Sequence, residues 1–368
     1  MTQKAFEYRF YPTAEQESLL RRTLGCTRLV YNKALAARTE AWYKEQKRVG
    51  YKKTSSMLTG WKKEVSCVPL QQGLRHLQGA FTNFFAGRAS YPNFKKKRNG
   101  GSAEFTKSAF KYADGAVYLA KSKEALPIRW SRLLPKGAEP STITVKLSPA
   151  GKWSVSLLVD VDIEPLPTSP NEVGIDLGIS ALLTLNTGEK VTNPKGFKAK
   201  LKKLRKAQKA LSRKQKGSNN RHKARLRVAR VRAEIADARK DNLHKLTTRL
   251  VRENQTIAVE DLAVKNMVKN RKLSQAISDA SWGELVRQLE YKCDWYGRTL
   301  VKLDRWFPSS KRCNSCGHTV SKLALNIREW DCPSCGVRHD RDLNAAVNVL
   351  AAGRAVLACG ASIRPDGA

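Results

Sequence analysis

Along the chain the hydrophobic and polar positions change period several times, and each change marks an element. "KAFEYRFYP" (4–12) alternates and ends in proline, which predicts a short strand. From Thr13 to about Lys47 the spacing becomes helical, with Leu19, Leu20, Leu24, Leu29, Val30, Lys33, Ala34 and Ala37 on recurring turns. Thr13 followed by Gln16 suits a capping box at its start. "PLQQGLRHLQGAFTNFFAGR" (69–88) predicts a second amphipathic helix, and "YPNFKKKRNGG" (91–101) breaks it. From about 102 to 165 short strand-like runs follow, "SAEFTKSAFKY", "AVYLA", "STITVKL" and "KWSVSLLVD", with "SPAG" as a hairpin turn. Helices set between a first strand and several later ones predict an insertion into one β-domain.

"EPLPTSPNE" (164–172) has the composition of a linker, and "EVGIDLGISALLTLNTGEKVT" (172–192) predicts two or three short strands. The stretch 195–232 contains no acidic residue and breaks at "GSNN", which predicts two basic helices. "QTIAVEDL" (255–262) predicts a strand, "WGELVRQLEYKCDWYGR" (282–298) a helix, "TLVKLD" (299–304) a strand, and a last helix starts near Arg341. No internal repeat is evident.

Charge narrows the function classes. Among 368 residues, 69 Lys and Arg against 32 Asp and Glu give a net charge of +37, which favours a polyanionic partner. Nucleic acid is the leading candidate and an anionic membrane the alternative. The start of the chain has no signal-peptide pattern, and no run of about 18 apolar residues is present to span a bilayer. With 41% hydrophobic residues the chain can build real cores. The basic cluster Lys95, Lys96, Lys97 and Arg98, and Lys202, Lys203, Arg205 and Arg225 on the acid-free helices, are candidate phosphate contacts; the bland alternative is a solvated basic face.

Three acids stand on separate elements. In "VGIDLGI", Val173, Ile175 and Leu177 fall on one strand face, and Gly174, Asp176 and Gly178 on the other, where the glycines leave room for a phosphate backbone to approach. Glu260 emerges at the end of "TIAVED", with Asp261 an equal competitor on spacing. Asp342 begins the last helix, with Asp340 one step outside it, and a first-turn acid there has a purely local explanation in the helix dipole. Three carboxylates meeting at one sheet edge repel unless cations share the site; hard oxygens suit Mg²⁺ or Mn²⁺, and two such ions can drive phosphodiester hydrolysis.

Cys313-x-x-Cys316 and Cys332-x-x-Cys335, fifteen residues apart, match a four-cysteine structural Zn²⁺ ribbon, and each pair is followed by glycine. His318 and His339 lie close by and are read as neighbours of the site or surface residues, not as ligands. Cys26, Cys67, Cys293 and Cys359 are isolated, which predicts small hydrophobes in packed regions and a reducing compartment.

"GIDLGI" (174–179), "VEDL" (259–262), "FPSSKRCNSCG" (307–317), "CPSCG" (332–336) and "DRDLNAAVNVL" (340–350) together resemble the OrfB/TnpB proteins of bacterial and archaeal insertion sequences, relatives of the type V CRISPR effectors. Weaker echoes are "TRLVYNKALAAR" (27–38) and "YPNFKKKR" (91–98). The resemblance implies an α+β multidomain protein. A RuvC-type, RNase H-like nuclease domain (166–306 and 341–368) is interrupted by a zinc ribbon (307–340). Ahead of it lies a β-barrel wedge domain (1–12 and 96–165) carrying a helical recognition insertion (13–95). It also implies Asp176, Glu260 and Asp342 as catalytic, magnesium-holding acids, Asp342 being chosen over Asp340 by the D-x-N-A-A pattern. The implied activity is RNA-guided cleavage of double-stranded DNA, with a guide RNA from the transposon end, in the bacterial or archaeal cytoplasm at the nucleoid. A non-cleaving regulator of transposition is the runner-up, and a strand-transferring transposase the third reading.

Overall fold

The computed structural model describes residues 2–56, 65–192, 196–271, 273–324 and 326–359. Two compact units emerge: Met1–Asp162 with Ala207–Ala233, and Ile163–Lys206 with Glu234–Ala368. The expected domain limits kept 207–233 with the second region; in the structure that piece packs in the first unit.

In the first unit, strand β1 (Thr2–Phe10) buries Phe6, Tyr8 and Phe10, every second residue. Helices α1 (Ala14–Glu45), α2 (Tyr51–Ser56) and α3 (Cys67–Phe85) follow. Thr13 and Gln16 form the full capping box at the start of α1, satisfying amides that helix geometry leaves orphaned. Val30, Tyr31, Ala34 and Leu35 of α1 pack on Leu70, Leu74, Leu77 and Phe81 of α3, so each helix spends its apolar stripe on the other. The chain then builds β2 (Gly101–Thr106), the hairpin β3 (Phe110–Ala113) and β4 (Ala116–Leu119), β5 (Ile128–Arg129), β6 (Pro140–Leu147) and β7 (Trp153–Val161). The main sheet is antiparallel in the order β2-β6-β7-β1-β5. In place of the expected closed barrel, the pairings among the described residues form an open run, with α1 and α3 packed on edge strand β2. The "SPAG" turn joins β6 to β7, with Gly151 at φ +75°, a left-handed conformation that favours glycine.

Strands β8 (Glu172–Asp176), β9 (Leu183–Leu185) and β10 (Lys190–Val191) open the second unit. Helices α4 (Gly196–Ser212) and α5 (Asn219–Glu253) come next; the break between them covers 213–218, and α5 starts inside the "GSNN" stretch. Helix α5 runs about twenty residues beyond the acid-free stretch. Acids reappear at Glu234, but the helical spacing of buried Val228, Val231, Ile235, Leu243, Leu246 and Leu250 continues, and periodicity, not charge, decides helix length. Beyond them come β11 (Thr256–Glu260), α6 (Val264–Met267), α7 (Ser274–Ala280), α8 (Trp282–Tyr296), β12 (Thr299–Leu303), the hairpin β13 (Glu329–Asp331) and β14 (Arg338–Asp340), and α9 (Arg341–Ala358).

The second sheet has the order β10-β9-β8-β11-β12; β8, β11 and β12 are parallel, while β9 and β10 return antiparallel. Both faces of its centre are covered. Val173, Ile175, Ile257 and Val259 pack on Leu243, Leu250, Leu285 and Leu289, whereas Ala258 and Val301 meet Val349 of α9 on the other side. The β8 glycine face is therefore not open as expected. A Cβ on Gly174 would lie 2.3 Å from the carbonyl oxygen of Ala346, and one on Gly178 3.0 Å from that of Ala181. Gly174 gives its space to helix α9, not to a phosphate.

Candidate active site and four-cysteine cluster

Each cysteine pair sits in a tight knuckle built the same way. The Gly317 amide donates to the Cys313 carbonyl (3.0 Å) and the Cys313 amide to the His318 carbonyl (2.8 Å). The Gly336 amide donates to the Cys332 carbonyl (2.8 Å) and the Cys332 amide to the Val337 carbonyl (3.0 Å). Both glycines are left-handed, at φ +79° and +70°. The four sulfurs lie within 4.8 Å of one another, with Cys313–Cys335 at 3.7 Å and Cys316–Cys332 at 3.6 Å. Tetrahedral zinc with Zn–S bonds of about 2.3 Å sets its sulfurs roughly 3.8 Å apart, so the cluster fits a structural zinc ion.

Electrostatics make the same demand for a cation. Against burial, which pushes it up, the Cys316 and Ser315 amides and the His339 ring hold the Cys313 thiol down at about 5. The Val337 amide favours a thiolate at Cys335, yet burial and the three neighbouring sulfurs push that thiol up to about 12. Neighbouring sulfurs thus oppose ionisation at Cys335 while Cys313 favours it, and a positive ion in the cluster would let both serve as thiolates. His339 is buried with Nε2 3.0 Å from Cys313 Sγ and its ring against Trp330, while His318 is exposed. Of the isolated cysteines, Cys293 is buried as expected and Cys26 and Cys67 are half-buried. Cys359 is exposed at the end of α9, outside any packed region.

The three acids are brought to one place by three elements. Asp176 ends β8, Glu260 ends the parallel neighbour β11, and Asp342 lies in the first turn of α9, which crosses both strands. Burial, then the charges of Glu260 and Asp342, push Asp176 up to about 8, against the pull of Arg341 and Arg328. Burial raises Glu260 as well, opposed by the Ser309 hydroxyl that donates to it. The local alternatives separate cleanly. Asp340 is the helix cap: its Oδ1 accepts from the Asp342 and Leu343 amides at 3.1 and 3.0 Å, and its Oδ2 meets Lys190 at 2.6 Å. Asp342 is thereby free of capping and stands 3.4 Å from Arg328. Asp261 instead pairs with Arg305 at 2.8 Å on the surface.

Ser309, Arg328 and Lys190 were not singled out from the sequence. Ser309 had a signal, its place in "FPSSKRC"; Arg328 bonds Ser180 across 148 positions and had none. Among the described residues, only the four cysteines bring three or more metal-binding donor atoms within 4.8 Å of each other, so the carboxylates stand wider apart.

The basic candidates behave differently from one another. Lys96, Lys97 and Arg98 are exposed on a single 3₁₀ turn and its approach. Lys95 is tied down: Asn32 bonds its backbone at both ends (2.8 and 2.9 Å), and its ammonium lies 4.1 Å from the Tyr31 ring centroid. Lys202, Lys203 and Arg205 are exposed on α4, with Lys203 paired to Glu234 at 3.0 Å, and Arg225 is half-buried. No described helix is long and apolar enough to cross a membrane.

Fold and site thus define a mixed α+β protein with a four-cysteine cluster that fits a structural zinc ion and a half-buried acid cluster at the ends of the central strands of a mixed sheet. Residues 154–271 match the OrfB_IS605 family, described as "Probable transposase", and 282–349 match the Cas12f1-like TNB domain. Residues 1–47 match a helix-turn-helix family, although here they form β1 and one long helix. A Streptomyces pristinaespiralis protein named "Putative RNA-guided DNA endonuclease" is 60% identical over 99% of this chain and 92% of its own. Its namesake InsQ of Escherichia coli (strain K12) is 34% identical over 98% and 95%. The chain belongs to the OrfB/TnpB family of IS605-type elements. Cas12f1, in a cryo-EM structure of the Cas12f1–sgRNA–target DNA complex, shares the fold at a TM-score of 0.59, with 13% identity over 95% of this chain and 98% of that one.

Proposed function

We propose that this chain is a transposon-encoded, RNA-guided DNA endonuclease. The reading draws on the activity named for its relatives and on the acid cluster, and the observation that carries it is the meeting of Asp176, Glu260 and Asp342 from β8, β11 and α9. Burial first, and then the charges of Glu260 and Asp342, push the Asp176 carboxyl up, which is the electrostatic signature of a site made for divalent cations. Asp176, Glu260 and Asp342 would hold Mg²⁺ or Mn²⁺, a pair by the chemistry of phosphodiester hydrolysis, through hard carboxylate oxygens. When bound, such ions activate a water and stabilise the leaving oxygen.

The nuclease domain is assigned to 166–306 with 341–368, apart from the 207–233 piece, as an RNase H-like, RuvC-type module. The order β10-β9-β8-β11-β12 with α9 across it supports that assignment. The ribbon at 307–340 is its insertion, and 1–12 with 96–165 form the wedge domain that carries 13–95 for recognition. Guide RNA from the transposon end would select double-stranded DNA by base pairing, while protein contacts read a short adjacent motif. Lys95, Lys96, Lys97, Arg98, Lys202, Lys203, Arg205 and Arg225 would hold phosphates. The protein would act at the bacterial or archaeal nucleoid.

The test is to purify the chain with its co-expressed RNA, sequence that RNA, and assay matched DNA in Mg²⁺ beside Asp176→Ala. Wild type should cut and the variant should bind equally well without cutting. Two equally inert proteins would remove the catalytic assignment and leave a binding regulator.

A further inference from the structure

Helix α9 carries two buried asparagines one turn apart, Asn344 and Asn348, inside the otherwise apolar "LNAAVNVL". Both side chains serve one backbone turn. Asn348 Nδ2 donates to the Ser309 carbonyl at 2.8 Å and to the Arg312 carbonyl at 2.6 Å. Asn344 Nδ2 donates to the Arg312 carbonyl at 2.7 Å, and its Oδ1 accepts the Asn314 amide at 3.0 Å, inside the first cysteine knuckle. The turn closes on itself through the Arg312 amide and the Pro308 carbonyl (3.0 Å). From its other side Ser309, itself buried, donates its hydroxyl to Glu260 Oε1.

These contacts form a continuous path. It starts on the helix that bears Asp342, passes through two amides into the 308–312 turn, and ends on Glu260. A branch enters the knuckle at Asn314, next to Cys313. Buried amides and carbonyls left unpaired are costly, so the turn cannot drift without breaking several bonds at once. We infer that Asn344, Asn348 and Ser309 are positioning residues that couple the four-cysteine cluster to the Glu260 carboxylate, so that zinc in the cluster strengthens divalent-cation binding at the acid site. Losing zinc frees Cys313 and Asn314, loosens Arg312 from both asparagines, and lets the Ser309 hydroxyl leave Glu260. The inference rests on the metal-holding role proposed above for the acids.

Manganese binding to the full-length chain, followed by electron paramagnetic resonance, tests it without an activity readout. The component removed by Asp176→Ala counts as binding at the acid site. Ser309→Ala and Asn348→Leu should each weaken that component by roughly tenfold, the weight of one hydrogen bond to a charged group. Ser309→Thr should restore most of it. Chelating zinc from wild type should weaken it similarly and add little to Ser309→Ala, because both break the same path. Wild-type affinity in folded Ser309→Ala, or full multiplication of its effect with zinc loss, overturns the coupling alone. Manganese binding indifferent to Asp176→Ala overturns the acid-site reading and the coupling with it.

Discussion

Adding one methyl group at Gly174 should separate the two elements that hold the acids. An alanine Cβ there would sit 2.3 Å from the Ala346 carbonyl oxygen, 2.7 Å from the Leu350 amide nitrogen and 2.8 Å from Leu350 Cβ. Non-bonded heavy atoms settle at about 3.5 Å, so α9 must retreat from β8 by roughly 1 Å. Overpacking costs about 1–3 kcal/mol, and because the opposing atoms are backbone the upper end, about 3 kcal/mol, applies. For a unit of this size that lowers Tm by roughly 6–12 °C. The same displacement carries Asp342 away from Asp176, and a misplacement of about 1 Å costs on the order of 100-fold in rate. Scanning calorimetry and single-turnover cleavage read the two effects. Gly283→Ala is the control: it lies in α8, nothing stands within 4 Å of its added Cβ, and a helical alanine should be neutral or stabilise by up to about 1 kcal/mol. A Gly174→Ala protein that melts and cuts like wild type would refute the packing argument.

The acid cluster also predicts how stability depends on pH in metal-free protein. Asp176 is raised to about 8 in the folded chain from an ordinary 3.8, so between those values the folded state holds a proton that the unfolded state has released. Stability therefore falls as pH rises from about 4 to about 8 and levels off above. Asp176→Asn should flatten that slope in urea titrations at pH 5 and pH 8, and an unchanged slope would mean the carboxyl is not buried among charges. At the ribbon, Cys332→Ser should abolish zinc retention, expose the amides of 308–340 to hydrogen exchange and reduce cleavage indirectly. Protein with verified zinc loss that kept full cleavage after Mg²⁺ was restored would count against a structural role.

Much of this chain is legible residue by residue because the deciding forces are local. The alternation of Phe6, Tyr8 and Phe10, the Thr13–Gln16 cap and the C-x-x-C-G knuckles each need only a few neighbouring residues. So do the acids' places at strand ends and a helix start, although their spacing left Asp261 and Asp340 as rivals. Tertiary structure chose between them: Lys190 and two helix amides claim Asp340, Arg305 claims Asp261, and Glu260 and Asp342 are left to act on Asp176. It likewise turned the glycine face of β8 from an open edge into the floor beneath α9, and moved 207–233 into the first unit. The partition has one physical cause. Backbone periodicity, capping and turn geometry act over a few residues, whereas burial and charge–charge coupling depend on which distant segments the folded chain sets side by side.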